Sequence, residues 1–149
     1  MDETPEDALP LVALLGQAHD ALEAAFDERL GASPFSDLSL AHSRNVLRHV
    51  GRGGCARPRQ VAELSGVSKQ AVSLQIAHLE RAGYLRTLPD PSDGRARVLE
   101  LTARGRSAQR WVLRTMRELD ALWRDRWGED VWSEVRGRLR EVVAERGAS

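Results

Sequence analysis

The sequence predicts a mainly helical fold carrying one small β hairpin of two to three strands. Three observations lead there. Apolar residues recur at helical spacing towards both ends of the chain. Residues 57–82 read as two short helices that meet at Gly66. A run dense in turn formers, Pro89-Asp90-Pro91-Ser92-Asp93-Gly94-Arg95, separates two strand-like segments.

Leu9 to Leu30 reads as the first helix. Leu11, Leu15, Ala18, Leu22 and Ala25 recur along one face, with Leu14 and Phe26 beside them. Gly31-Ala32-Ser33-Pro34 breaks it. A second helix begins at Leu38-Ser39 and runs to about Val50, with Val46, Leu47 and Val50 inward. Gly51-Arg52-Gly53-Gly54 reads as a flexible loop.

The next stretch is the most informative. Pro58 suits a first helical position, where its missing N–H costs nothing. Gly66 can adopt the left-handed conformation that ends a helix. Ser68 can accept a hydrogen bond from a free N–H of the following helix. Two short helices around such a turn make a helix-turn-helix, whose second helix can enter the DNA major groove. At about 100° per residue, Val72, Ile76 and Leu79 share the core side of that helix. Gln70, Ser73, Leu74, Ala77 and Arg81 fall opposite, with Lys69 at the border. Glutamine can bond adenine in a bidentate way, serine can bond any base, and leucine can touch a thymine methyl. An ordinary amphipathic helix with a solvated face would show the same pattern, so the segment after the helix is decisive. Gly83 stops the helix, Tyr84 to Leu88 reads as a strand, and Ala96 to Leu101 returns. The turn between them has an Asp-Gly pair at its tip, and Val98 and Leu99 alternate poorly for a half-buried strand. A hairpin after a reading helix is a wing, which makes the fold a winged helix-turn-helix.

Three pieces, in order and at this spacing, carry a resemblance. They are Leu79-Glu80-Arg81-Ala82-Gly83-Tyr84-Leu85, then Asp90-Pro91-Ser92-Asp93-Gly94-Arg95, then Leu101-Thr102-Ala103-Arg104-Gly105. Together they resemble the signature of the MarR (multiple antibiotic resistance regulator) family of winged-helix regulators. They span the middle third to half of the chain; the flanking helices carry no motif of their own. Thr102 caps the longest helix, which ends near Trp127-Gly128 and carries Val112, Met116, Leu119 and Trp123 as a stripe, widened by Trp111, Thr115 and Leu122. Val131, Trp132, Val135, Leu139, Val142 and Val143 mark a last helix from near Glu129. The apolar stripes outside the winged helix need a surface to bury against, and a second copy is the simplest. The family dimerises in this way. The expected organisation is therefore an N-terminal dimerisation helix over 1–37, a DNA-binding lobe over 38–101 and C-terminal dimerisation helices over 102–149.

Charge sorts along the chain. Residues 1–40 hold nine acids and one base; residues 41–110 hold thirteen bases and five acids; residues 111–149 hold eight of each. The basic excess thus falls on the helix-turn-helix and wing, where phosphates would lie. A general abundance of arginine explains the residue type but not this segregation. There is no apolar run near the ~18 residues of a membrane span. The acidic start lacks the basic, apolar character of a secretion signal, so the expected location is the cytoplasm.

The DNA-binding set is Ser68, Lys69, Gln70, Ser73, Leu74 and Ala77 on the reading helix, with Asp93, Arg95 and Arg97 on the wing. Leu74 stands where a polar or basic residue is expected. By resemblance, Arg95 enters a narrow minor groove, where the negative potential is strongest, and Asp93 steadies its guanidinium. A surface salt bridge is the plainer reading of that pair. Arg57, Arg59 and Arg86 are further candidate phosphate contacts.

Other chemistry is thinly supplied. Cys55, the only cysteine, is read as a bystander thiol; cysteine sensors of the family typically use the first helix. His19, His42, His49 and His78 show no metal-binding spacing, and His78 reads as a groove-edge residue. The four tryptophans read as dimer core, or as the lining of an effector pocket of the kind many family members use for aromatic or phenolic anions. No nucleophile–base pair or phosphate loop is present, so no enzyme activity and no cofactor are expected. The resulting expectation is a homodimeric, sequence-specific binder of double-stranded DNA, a ligand-responsive repressor on a pseudo-palindromic operator, with a small aromatic or phenolic effector implied by the resemblance alone. The alternative is a winged-helix architectural or protein-interaction module without a specific operator.

Overall fold

The computed structural model describes residues 9–53 and 56–147. Its elements, in chain order, are α1 (Leu11–Gly31), α2 (Leu40–His42), a π-helical turn (Ser43–Leu47), α3 (Arg48–Gly53), α4 (Pro58–Ser65), α5 (Lys69–Arg81), β1 (Leu85–Asp90), β2 (Asp93–Leu101), α6 (Ala103–Trp127) and α7 (Glu129–Gly147). The chain divides into two compact units, residues 1–112 and 113–149, with the boundary inside α6. Among the described residues, no helix is long and apolar enough to cross a membrane.

The first unit has a continuous apolar core. Phe26 and Leu30 from α1, Val46, Leu47 and Val50 from the α2–α3 segment, and Val61, Val72 and Leu79 from α4 and α5 are all buried. Tyr84, Leu99 and Val112 complete it. Phe26 meets Trp111 edge-on at 5.9 Å, and Phe35 meets the same indole at 6.3 Å. Trp111 is half-buried and packs on the aromatic rings of this unit.

Two expectations are corrected here. Gly51 and Gly53 belong to α3, not to a loop. Gly51 lies where the Gln109 side chain packs, and Gln109 Nε2 donates to the Leu47 carbonyl at 3.3 Å. A side chain at position 51 would collide with Gln109, so this turn of the helix needs a residue without one. The hairpin tip is Pro91-Ser92 rather than Asp93-Gly94, which lie in β2. The tip moves because Asp90 Oδ1 accepts both the Ser92 N–H at 2.9 Å and the Ser92 hydroxyl at 2.8 Å, closing the turn one step earlier.

The hairpin is antiparallel, with Leu85 opposite Leu101 and Pro89 opposite Arg97. Asp90 then pairs with Asp93, so Gly94, Arg95 and Ala96 form a bulge on β2. A single rung to Ala56, whose N–H donates to the Leu99 carbonyl at 3.1 Å, adds the beginning of a third strand. This rung explains why Val98 and Leu99 are both buried, the irregularity visible in the sequence. Thr102 caps α6 by accepting the Gly105 N–H at 3.0 Å, and its hydroxyl donates to the Gly83 carbonyl at 2.5 Å.

The second unit contains the rest of α6 and α7, which part at Gly128 with φ +83°. Trp123 and Trp127 approach to 5.0 Å, and Trp127 and Trp132 to 5.9 Å. Leu122, Val131, Leu139, Val142 and Val143 of this unit are exposed.

His42 and His78 stack at 4.7 Å, nearly parallel. His42 Nδ1 faces the Ser39 N–H at 3.1 Å, which requires that nitrogen to be unprotonated. Burial and the neighbouring His78 push the His42 pKa below its ordinary 6.5. The unfolded chain therefore takes up this proton first. Stability is full above pH ~6.5 and is lost as pH falls from there towards the folded-state pKa. Urea midpoints measured between pH 7.5 and 5 should fall, and His42→Gln should flatten the slope. A slope unchanged by that substitution would acquit His42.

Candidate nucleic-acid interface

Local chemistry builds the helix-turn-helix as the sequence predicts. Pro58 opens α4, and Gln60 Oε1 accepts the Arg57 N–H at 3.1 Å. Gly66 closes α4 with φ +68° and ψ +14°, in the left-handed region where a side chain would be strained. Ser68 Oγ then accepts the Ala71 N–H at 3.2 Å, satisfying one free donor at the start of α5.

Val72, Ile76 and Leu79 bind α5 to the core. Opposite them, Ser68, Lys69, Gln70, Ser73, Leu74 and Arg81 are exposed and Ala77 is half-buried. Leu74 is 68 % exposed, so its methyl groups are available for contact. An open depression of about 180 Å³ between α4 and α5 is lined by Pro58, Arg59, Ala62, Lys69 and Ser73.

On the hairpin, Asp93, Arg95 and Arg97 are all exposed. Asp93 Oδ1 accepts the backbone N–H of Arg95 at 3.1 Å. The carboxylate thus shapes the bulge, and the guanidinium is left to solvent. Among the described residues, no carboxylate lies within ion-pair distance of Lys69, Arg81, Arg95 or Arg97.

The other candidate arginines, Arg57, Arg59 and Arg86, are engaged. Arg86 pairs with Glu100 across the hairpin at 2.6 Å, and Arg59 pairs with Glu63 along α4 at 3.0 Å. Arg57 reaches Asp90 Oδ2 with Nε at 2.9 Å and Nη2 at 2.5 Å. Hydrogen bonds from the Ser92 N–H, then the Ser92 hydroxyl and Arg57, draw the Asp90 pKa down to about 2. Sequence reasoning does not single out Asp90. The available signal is an Asp two residues before a Ser in a turn, the pattern of a side chain that bonds its own backbone.

His78 also departs from its expectation. It turns from the outer face of α5, and its Nε2 lies 2.7 Å from the Asp37 carbonyl oxygen. Asp37 receives the Tyr84 hydroxyl and lies 3.4 Å from Arg104 Nη2. Arg104 lies over the Tyr84 ring at 4.6 Å. Burial, then the hydrogen bond to Asp37, raises the Tyr84 pKa to about 12. This cluster joins the loop before α2 to the end of α5 and the start of α6.

His19, Asp20 and Glu23 gather on α1, but all are solvent-accessible. Arg44 Nη1 sits 2.9 Å from His19 Nε2, an unfavourable neighbour for a cation. Cys55 lies outside the described residues.

Two core-anchored helices around a left-handed glycine, followed by an arginine-bearing hairpin, define a winged helix-turn-helix. Residues 36–96 match the model of the MarR family. A crystal structure of MarR aligns with TM-score 0.80 at 22 % identity, over 95 % of this chain and 100 % of that one. Streptococcus pneumoniae FabT, crystallised in complex with DNA, aligns at 0.77 and 21 %, over 93 % and 97 %. The apo form of wild-type MarR from E. coli aligns at 0.75 and 20 %, over 91 % and 98 %. Comparison with curated protein sequences gives no match. The chain has a winged-helix fold, and its residues 36–96 are similar to the MarR family.

Proposed function

We propose that this protein is a cytoplasmic transcriptional regulator that binds double-stranded DNA in a sequence-specific manner. It acts as a homodimeric repressor on a pseudo-palindromic operator and is released by a small aromatic or phenolic ligand. The observation that carries the reading is the division of labour in the first unit. One side of α5 is locked to the core, while Lys69, Gln70, Ser73 and Leu74 face solvent and the hairpin offers Arg95 and Arg97 without carboxylate partners among the described residues. Ser68, Gln70 and Ser73 supply groups that can bond base edges, and Leu74 and Ala77 supply apolar contact for thymine methyls. Arg95 and Arg97 supply the positive charge for the minor groove and its phosphates. FabT, similar in fold, was crystallised with DNA.

Dimerisation is supported by exposed apolar side chains within each unit. Leu11, Val12, Leu14 and Leu22 line α1, and Val131, Leu139, Val142 and Val143 line α7. Surfaces of this kind mark association sites. A two-fold dimer sets its reading helices about 34–36 Å apart, one turn of DNA. A ligand releases the operator only by binding better to a dimer with another spacing.

The test is capture of sheared genomic DNA by the purified protein at moderate salt, followed by sequencing. A palindromic motif near one or a few promoters is the expected result. Enrichment without a motif would replace the regulator with an architectural protein.

A further inference from the structure

Arg57 is the last residue before α4, and Asp90 ends β1, 33 residues later. Among the described residues, theirs is the ion pair that ties the outer end of the hairpin to the helix-turn-helix. It is a fork rather than a single touch: Nε and Nη2 both reach Oδ2, at 2.9 and 2.5 Å. The other carboxylate oxygen is filled by the Ser92 N–H and hydroxyl. Asp90 is only 8 % exposed, whereas Arg57 is 44 % exposed at the rim. Immediately beyond Asp90 the register slips, and the bulge Gly94-Arg95-Ala96 begins. Arg95 is therefore carried by a segment that this carboxylate ties to the helix-turn-helix.

We infer that Asp90 is a positioning residue: through Arg57 it fixes the angle of the wing against the helix-turn-helix, so that Arg95 and the face of α5 meet DNA together. The inference rests on the proposed DNA-binding function. It also assigns Arg57 a place in the protein rather than on a phosphate. The two roles differ in their consequences. A phosphate-bound Arg57 would be freed by loss of Asp90, and affinity would hold or rise. A clamp is broken equally from either end, and its loss wastes the binding energy of Arg95 as well.

The experiment has two readouts on the full chain. The first needs no DNA: amide hydrogen exchange of free wild type, Asp90→Asn and Arg57→Gln. Both variants should exchange faster over residues 89–97 and unchanged over 98–101. The second is affinity for the selected operator. Each single variant should bind roughly tenfold more weakly, the scale of couplings through packed networks. The double variant should be no worse than either single one. Arg57→Lys, which keeps the charge but not the fork, should recover part of the loss. Losses that multiply in the double variant, or stronger binding by Asp90→Asn, would overturn the clamp. Unchanged exchange in the wing would do the same, whatever the affinities. If Asp90→Asn fails to fold, Arg57→Gln paired with Arg95→Ala decides: overlapping losses support the clamp and multiplying losses refute it. A wild-type protein with no operator affinity would sink the regulator reading, and the exchange data would still judge the contact.

Discussion

Replacing Arg95 with alanine should weaken operator binding by roughly 1–3 kcal/mol per wing, about 5- to 150-fold, and leave fold and assembly unchanged. Arg95 is exposed, it lies in the bulge of β2, and no carboxylate among the described residues is within ion-pair reach. Its removal therefore breaks nothing inside the protein. What it removes is positive charge aimed outward, on a backbone that Asp93 shapes through the Arg95 N–H. A minor groove narrowed by sequence concentrates negative potential, so the loss should be largest on operators with A·T-rich flanks. The salt dependence should shrink by about one unit per wing if the guanidinium also neutralises a phosphate. Titration of a labelled operator at several salt concentrations measures both effects, and a thermal melt checks the fold. Unchanged affinity would take the wing out of the mechanism.

Gly105→Ala should destabilise the protein by about 3 kcal/mol, the upper end for forcing a methyl into a packed site. Gly105 passes against the backbone of Tyr84. A Cβ there would overlap the Tyr84 carbonyl oxygen, stand 3.1 Å from its carbon and crowd a Leu101 methyl at 3.3 Å. Backbone cannot swing aside as a side chain can. That same carbonyl accepts the Thr102 N–H at 3.0 Å, so moving it also loosens the start of α6. For a chain of this size, the loss lowers the melting temperature by roughly 6–12 °C. Urea unfolding of the two proteins settles it, and Gly16→Ala is the control, because open space surrounds Gly16. A midpoint matching wild type would mean that α6 can shift freely at its first turn. The glycine of the Leu-Thr-x-x-Gly signature thus has a structural reason: the helix can start only by passing close to the backbone of Tyr84, just ahead of β1.

Much of the fold is written in short-range chemistry. Pro58, Gly66 and Ser68 act on backbone within a few residues of themselves, so α4, the turn and α5 are legible along the chain. The inward set Val72, Ile76 and Leu79 follows from helical periodicity, and the solvent side of α5 follows with it. Thr102 and Gly128 mark the two ends of α6 for the same reason.

The choice of partner for each charged or ring side chain is not legible. Along the chain Arg57 looks as free as Arg95, yet one is forked onto a carboxylate 33 residues away and the other is open. His78 shares a helix with the outward residues, but Asp37, distant in sequence, turns it towards the protein. Gly51 of α3 looks like part of a loop until Gln109 is placed against it. Even the hairpin tip depends on which oxygen of Asp90 is already occupied by Arg57 and which is left for Ser92. Helix starts, stops and faces depend on the φ and ψ of neighbouring residues, which the sequence determines by itself. Ion pairs, ring stacks and close backbone approaches depend on which distant segments the packed core brings together, and only the tertiary structure decides that.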